Sequence, residues 1–319
     1  RLEASAPAHR GDEAARAREE GCTRAGPALT SLRAGDAAEP SGLDGAPSPT
    51  ALAPPSPSPV PPPPDYVRHV LPELPLDDVF AHLNWQMLLG KHLGVRGVVK
   101  RLLEAHDVRA EEVARRVEAL QDAAAARQWL QPSAVFQFYR AIGCGDNVVV
   151  LDPAGREIAV LPFARQAREP HACAADWVSP DPAARDTVAL FVTTAGSGVE
   201  ERAAELRSAG CLADSIALQA LALETAEAAA EWLHRRLRTL WGFPDPPEMT
   251  MEERFRAAYR GIRLSFGYPA CPALEPQVEL FRLLEPDLIG VHLTESYMMA
   301  PEASVSAVVF HHPEGRYLS

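Results

Sequence analysis

Between Tyr259 and Tyr268 the chain reads YRGIRLSFGY, which packs two arginines, two tyrosines and two glycines into ten residues. The glycines, and the prolines that follow in YPACP, demand special backbone angles, so the run is expected to form a defined loop and not a helix. In such a loop Arg263 can present its planar fork to a carboxylate, and the tyrosine rings can pack against a flat ring. Backbone N–H groups freed by the irregular path can bind polar ligand atoms. A zwitterionic, adenine-bearing ligand suits that set. The competing reading is that Arg260 and Arg263 pair with Glu252 or Glu253 just upstream, and the residues by themselves leave both readings open.

Other chemistry-bearing patterns carry less. Gly196 and Gly198 lie between an expected strand and an expected helix, but the third glycine and the distal acid of a dinucleotide fingerprint are missing. The 10 histidines include the adjacent pair His311 and His312 and no H-x-x-x-H, and the 5 cysteines include no C-x-x-C, so a metal site is not indicated. Cys271, set between prolines with no evident base nearby, reads as a small buried residue. No serine sits in a G-x-S-x-G elbow, so hydrolase machinery is not visible.

The elements that would position these residues begin at Tyr66. Leu76 to Gly90 places Val79, Phe80, Leu83, Met87 and Leu88 at helical spacing behind Asp77 and Asp78, and a second helix is expected from Ala110 to Trp129. Ala134–Phe138, Asn147–Leu151 and Glu157–Leu161 are β-prone, and the last two flank DPAGR, a hairpin turn. TVALFVTT, Thr187 to Thr194, reads as a buried strand, followed by a helix from Val199 to about Ser208. A long helix from about Asp214 to Leu240 carries Ile216, Leu218, Leu221, Leu223, Trp232, Leu233 and Leu237 on a wide apolar face. VHLT and SVSAVVF add short strands near the end. Strands mixed with helices, without a βαβ rhythm, predict an α+β domain on a curved, mainly antiparallel sheet with flanking helices.

A chain of 319 residues with 47% hydrophobic content can bury a substantial core, yet its 30 prolines are unevenly spread. Residues 1–65, rich in Ala, Pro and Ser and ending near APPSPSPVPPPP, are expected to be a disordered linker, leaving 66–319 as the folded domain. A net charge of −12 argues against nucleic acid as a partner, since that affinity needs clustered cations. No apolar run is long enough to span a membrane, and a cytoplasmic protein is the simpler reading.

LNWQMLLGKHLG at Leu83 to Gly94, VLPFARQ at Val160 to Gln166, CAADWVSP at Cys173 to Pro180 and AEAAAEWLHRRLRTLWGF at Ala226 to Phe243 are long, specific strings. With YRGIRLSFGYPACP, LTESYMMAPEASVS and FHHPEGRY, they make the region from Leu76 to Tyr317 resemble the C-terminal activation domain of cobalamin-dependent methionine synthase. The resemblance implies a helmet-shaped α+β domain that binds S-adenosylmethionine and caps cobalamin carried by a neighbouring module. It also implies a methyltransferase component acting in methionine biosynthesis. The domain would support reductive methylation of inert cob(II)alamin with an electron from flavodoxin or a similar donor.

Position by position, the resemblance implies that Arg263 grips the ligand's carboxylate and that Tyr317 contacts the ligand near the chain end. Asn84 stands where relatives carry an aspartate on the ligand's amino group, Glu227 at an acidic position facing the site, and Tyr268 at the loop tyrosine of GYPACP. Leu318 replaces a second aromatic, so one ligand contact is expected to change. Ala307 replaces a glycine, tolerable where φ is negative. Nothing in the chain resembles the homocysteine, folate or cobalamin modules. Two other expectations stand beside the leading one: a docking module for a cobalamin domain or electron donor that has lost ligand binding, and a truncated remnant, motivated by Arg1 and the stop at Ser319.

Overall fold

The computed structural model describes residues 58–318. The expected disordered segment falls outside these residues up to position 57.

The strands are β1 (His69–Leu71), β2 (Ser133–Cys144), β3 (Asn147–Leu151), β4 (Glu157–Pro162), β5 (Thr187–Thr194), β6 (Ile262–Leu264), β7 (His292–Leu293), β8 (Met299–Ala300) and β9 (Ser304–Phe310). The main sheet runs in the order β4-β3-β2-β5-β9-β6, with β1 also paired to β2, and each of these pairs is antiparallel. The long β2 has the reach to serve two partners on one edge, β1 against Ala134–Phe136 and β3 against Arg140–Cys144. The hairpin expected around DPAGR is the β3–β4 pair.

Alternation along the central strands divides two cores. Phe136 and Phe138 of β2, Ala189 and Phe191 of β5, and Val305, Ala307 and Val309 of β9 face one side. Val135 and Tyr139, Val188, Leu190 and Val192, and Val308 and Phe310 face the other. A two-residue side-chain period puts neighbours on opposite faces, and with both faces covered β5 is buried along its whole length. Ala307 lies mid-strand, outside the residues with positive φ, so the change from glycine costs no backbone strain there.

The helices are α1 (Leu76–Phe80), a π-helix (Gln86–His92), α2 (Val99–Glu104), α3 (Val108–Arg127), α4 (Val199–Ser208), α5 (Leu212–Leu240), α6 (Met251–Phe255) and α7 (Gln277–Leu284). α5 lies in the first core and α7 in the second. Ala220, Ala222, Ala226, Ala228, Ala229 and Ala230 are all buried on α5, and these small side chains let its backbone come close to its neighbours. The wide apolar face of α5 holds for Leu218, Leu221, Leu233 and Leu237, but Ile216 is 48% exposed, as is its i−4 neighbour Leu212 at 58%. Ser215 takes the inward place instead, donating to the Ala203 carbonyl at 2.8 Å.

Two expectations change. The single helix expected from Leu76 to Gly90 is two, because α1 ends in tight i→i−3 bonds at His82 and Leu83 and the chain restarts at Asn84. The loop expected from Tyr259 to Tyr268 contains a strand, β6, which pairs with β9 through Ile262↔Phe310, Arg263↔Val309 and Leu264↔Val308.

Gly261 lets the chain enter β6. Its φ is +81°, and a Cβ there would lie 2.5 Å from the Phe310 carbonyl oxygen. Overpacking of about 1–3 kcal/mol and left-handed strain of about 1–2 kcal/mol together give an expected loss of roughly 2–5 kcal/mol for Gly261→Ala. Urea unfolding checks this, and a loss under about 1 kcal/mol would show that the edge strand yields freely. Gly196 has a different job from nucleotide binding: at φ +101° a Cβ would meet the Gln131 backbone at 3.0 Å.

Candidate functional site

A cavity of about 400 Å³ opens between α5, the π-helix and the β6 edge. Its wall includes Asn84, Glu227, Arg263, Tyr268 and Tyr317, five of the six site residues expected from sequence. Leu318, the sixth, is not among the lining residues. It is 7% exposed and packs within the second core, so the structure does not bring it together with the other five.

Strand geometry explains Arg263. Ile262 and Leu264 belong to the second core, so the alternate residue between them faces the α5 side with its partner Val309. There it meets a helix face carrying Glu224, Glu227 and Glu231 at i, i+3 and i+7. The guanidinium lies 3.4 Å from Glu227 and 3.6 Å from Glu231. Burial disfavours its charge, but those two carboxylates outweigh that cost and raise its pKa above the ordinary arginine value. Neither Arg260 nor Arg263 pairs with Glu252 or Glu253: Arg260 donates to the His311 carbonyl at 2.9 Å and lies over the Phe243 ring.

The ionic contacts continue inward. Glu231 is 3.8 Å from Arg238, Arg238 is 2.6 Å from Asp245, and Asp245 is 3.2 Å from Arg254, which returns to the cavity wall. Glu227, Arg263, Glu231, Arg238, Asp245 and Arg254 therefore alternate in sign from one part of the wall to another. The Arg238 guanidinium also sits 3.7 Å from the centroid of the Tyr259 ring.

Asn84 starts the π-helix, its Oδ1 accepting from Met87 N at 3.2 Å. The same helix brings His92 to Glu224, Nε2 to Oε1 at 3.0 Å. Tyr268 and Tyr317 are 59% and 56% exposed while lining the cavity, which puts them on its open side. Glu227 and partial burial push the Tyr268 pKa up, keeping its hydroxyl neutral.

Glu224, Glu231, His92 and Arg254 were missed as wall residues in the sequence reading. The 3-and-4 spacing of the three glutamates on one helix was a legible signal; His92 and Arg254 carried none. Cys271 is 2% exposed with its thiol pKa pushed up to about 12 by burial and the nearby Cys173, which suits packing and not nucleophilic attack. His311 is buried against Asp186, Nε2 to Oδ1 at 2.7 Å. Among the described residues, no group of three or more His, Cys, Asp or Glu is placed to hold a metal ion, and no helix is long and apolar enough to cross a membrane.

Residues 75–319 match the family model described as the activation domain of vitamin B12 dependent methionine synthase. The chain belongs to this family. It is 34% identical over 199 residues to the methionine synthase of Mycobacterium tuberculosis, covering 58% of this chain and 17% of that protein. To the methionine synthase of Mycobacterium leprae it is 32% identical over 200 residues, covering 58% and 16%. The chain thus spans about a sixth of the length of these relatives. Among solved structures, it is similar to the MetH reactivation domain bound to AdoHcy, with a TM-score of 0.76, 29% identity, and coverage of 82% of this chain and 83% of that one. The activation-domain fold is therefore the mixed, antiparallel one described above.

Proposed function

We propose that residues 66–319 bind S-adenosylmethionine in the cavity beside α5 and serve the reactivation half-reaction of a methionine synthase in the cytoplasm. The observation that carries this reading is Arg263: a charged fork in the cavity wall whose buried Nε, among the described residues, has no hydrogen-bond partner. A ligand carboxylate would satisfy it. The fit extends further, since a cavity of about 400 Å³ lies within the usual range for small-molecule sites and carboxylates on its wall suit a cationic ligand. The likeness to a reactivation domain bound to AdoHcy supports the same ligand class.

In this reading Arg263 holds the carboxylate, Asn84 accepts from the ammonium, Glu227 faces the ligand's polar groups, and Tyr268 and Tyr317 pack against its ring. A cobalamin carried by a neighbouring module would supply the nucleophilic centre for the methyl group, with flavodoxin or a similar donor as the source of the electron that makes it nucleophilic. The sulfonium C–S bond breaks and its electrons remain on sulfur. The chain's own work is positioning: it holds the methyl donor in one pose at the site where the acceptor docks, which converts an encounter into a local event. Residues 1–65 serve as the tether between modules.

Calorimetric titration of the full chain with S-adenosylmethionine tests the proposal. Saturable one-to-one binding is expected, whereas no binding by a folded chain would overturn it and leave the docking reading. Asn84→Asp is expected to tighten binding about tenfold, because a carboxylate adds charge attraction for the ammonium and still caps Met87 N. Unchanged or weaker affinity in the same titration would remove Asn84 from the ammonium's partners.

A further inference from the structure

We propose that Glu224, held by His92 in the cavity wall, is the residue that distinguishes the cationic methyl donor from its neutral thioether product. This rests on the binding reading above and adds to it a reason for product to leave.

Most charges on the cavity wall are already matched by a permanent partner of opposite sign. Glu227 and Glu231 share the Arg263 guanidinium, and Arg254 is taken by Asp245. Glu224 differs: the partner of its Oε1 is the His92 imidazole at 3.0 Å and not a permanent cation. It is 5% exposed and lines the same cavity. The groups facing it are Lys91 and His92 from the π-helix, Glu227 from its own helix and Tyr268 from the loop across the cavity.

Burial, helped by the neighbouring Glu227 and opposed by Lys91, pushes the Glu224 pKa up to about 7. Burial, with Lys91, lowers the His92 pKa, so the pair is poised between a protonated carboxyl against neutral imidazole and a carboxylate beside it. Both ligands carry the same amino acid and nucleoside. Donor and product differ in the methyl group and in one positive charge on sulfur, so a wall carboxylate that ionises near neutral pH acts on that difference. The sign follows directly: as pH rises through about 7, Glu224 becomes anionic and favours the sulfonium, while the thioether gains nothing.

At an effective dielectric constant near 20, one carboxylate several ångströms from the sulfonium is worth about tenfold or more in affinity. Weighted by ionisation around pH 7, this gives roughly a fivefold rise in the donor-to-product affinity ratio between pH 6 and pH 8. The test is titration of the full chain with S-adenosylmethionine and, separately, S-adenosylhomocysteine at both pH values, in the wild type and in Glu224→Gln. Comparing the two proteins cancels the ligands' own ionisation. The ratio is expected to rise about fivefold more in the wild type than in the variant. Equal pH dependence in both proteins, or a flat ratio in the wild type, overturns the proposal while leaving the binding reading intact. Failure of S-adenosylmethionine to bind overturns both. Should Glu224→Gln not fold, the wild-type profile still decides: a ratio that stays flat or falls with pH refutes the role.

Discussion

Replacing Arg263 with alanine is expected to weaken S-adenosylmethionine binding by about a hundredfold or more. A charged hydrogen bond contributes about 1.5–3 kcal/mol, and a fork making two such bonds to a carboxylate loses both together. The truncation also leaves Glu227 and Glu231 without the cation 3.4 and 3.6 Å away, so the cavity would repel the carboxylate it had held. Arg263→Lys separates charge from geometry: it keeps the positive charge and loses the planar fork, and an intermediate loss of about tenfold is expected. Calorimetry on both variants, with thermal unfolding to confirm folding, makes the comparison. If alanine binds the ligand as the wild type does, Arg263 is a structural cation and the proposed carboxylate site is wrong.

The largest expected effect on stability lies deeper, at Asp245. Its side chain is 3% exposed and holds Arg238, itself 1% exposed, at 2.6 Å, and Arg254 at 3.2 Å. Asp245→Ala leaves two buried guanidinium groups without their carboxylate and is expected to cost about 3–5 kcal/mol in urea unfolding. Glu231, 3.8 Å from Arg238, is too distant to replace it. Burial raises the Asp245 pKa, but Arg238 and Arg254 together outweigh it and hold the carboxyl below its ordinary value of 3.8. A depressed folded pKa means that this stabilisation is present above the unfolded value and is lost as pH falls below about 3.8 through the folded pKa. The wild type should therefore lose more stability than Asp245→Ala between pH 5 and pH 3. Parallel acid profiles, or a loss near 1 kcal/mol at neutral pH, would mean that the guanidinium groups find other partners.

Because Arg254 and Arg263 both line the cavity, the alternating charges tie ligand binding to the packing of α5, β6 and α6. Stability and affinity are thus expected to share residues here. In the proposed site Arg238 and Asp245 would act at a distance from the ligand, as positioning residues.

Several elements were legible in the sequence for identifiable reasons. β5 reads as buried because TVALFVTT has no polar face to give to solvent, and the β3–β4 hairpin is marked by a turn whose proline and glycine suit no strand. α5 is marked by its length and by good helix formers. Local signals failed where distant partners decide. Three residues of β6 are too short to be read as a strand, and their conformation is set by β9, some 45 residues later. The break between α1 and the π-helix is set by an asparagine that caps in a stretch whose apolar spacing runs on as one helix.

The sequence by itself determined the family, the α+β composition and five of the six expected residues now found on one cavity wall, because long motif strings and local propensity survive without coordinates. Only the tertiary structure decided how the wall is charged. Arg263 meets Glu227 and Glu231 because strand alternation turns it towards α5, and Leu318 packs in the second core because its neighbours in space are apolar. Glu224 acquires its raised pKa from burial and from Glu227, against the opposing charge of Lys91 that the π-helix brings beside it. Burial and through-space charge depend on distances between residues far apart in the chain, and no local pattern encodes them.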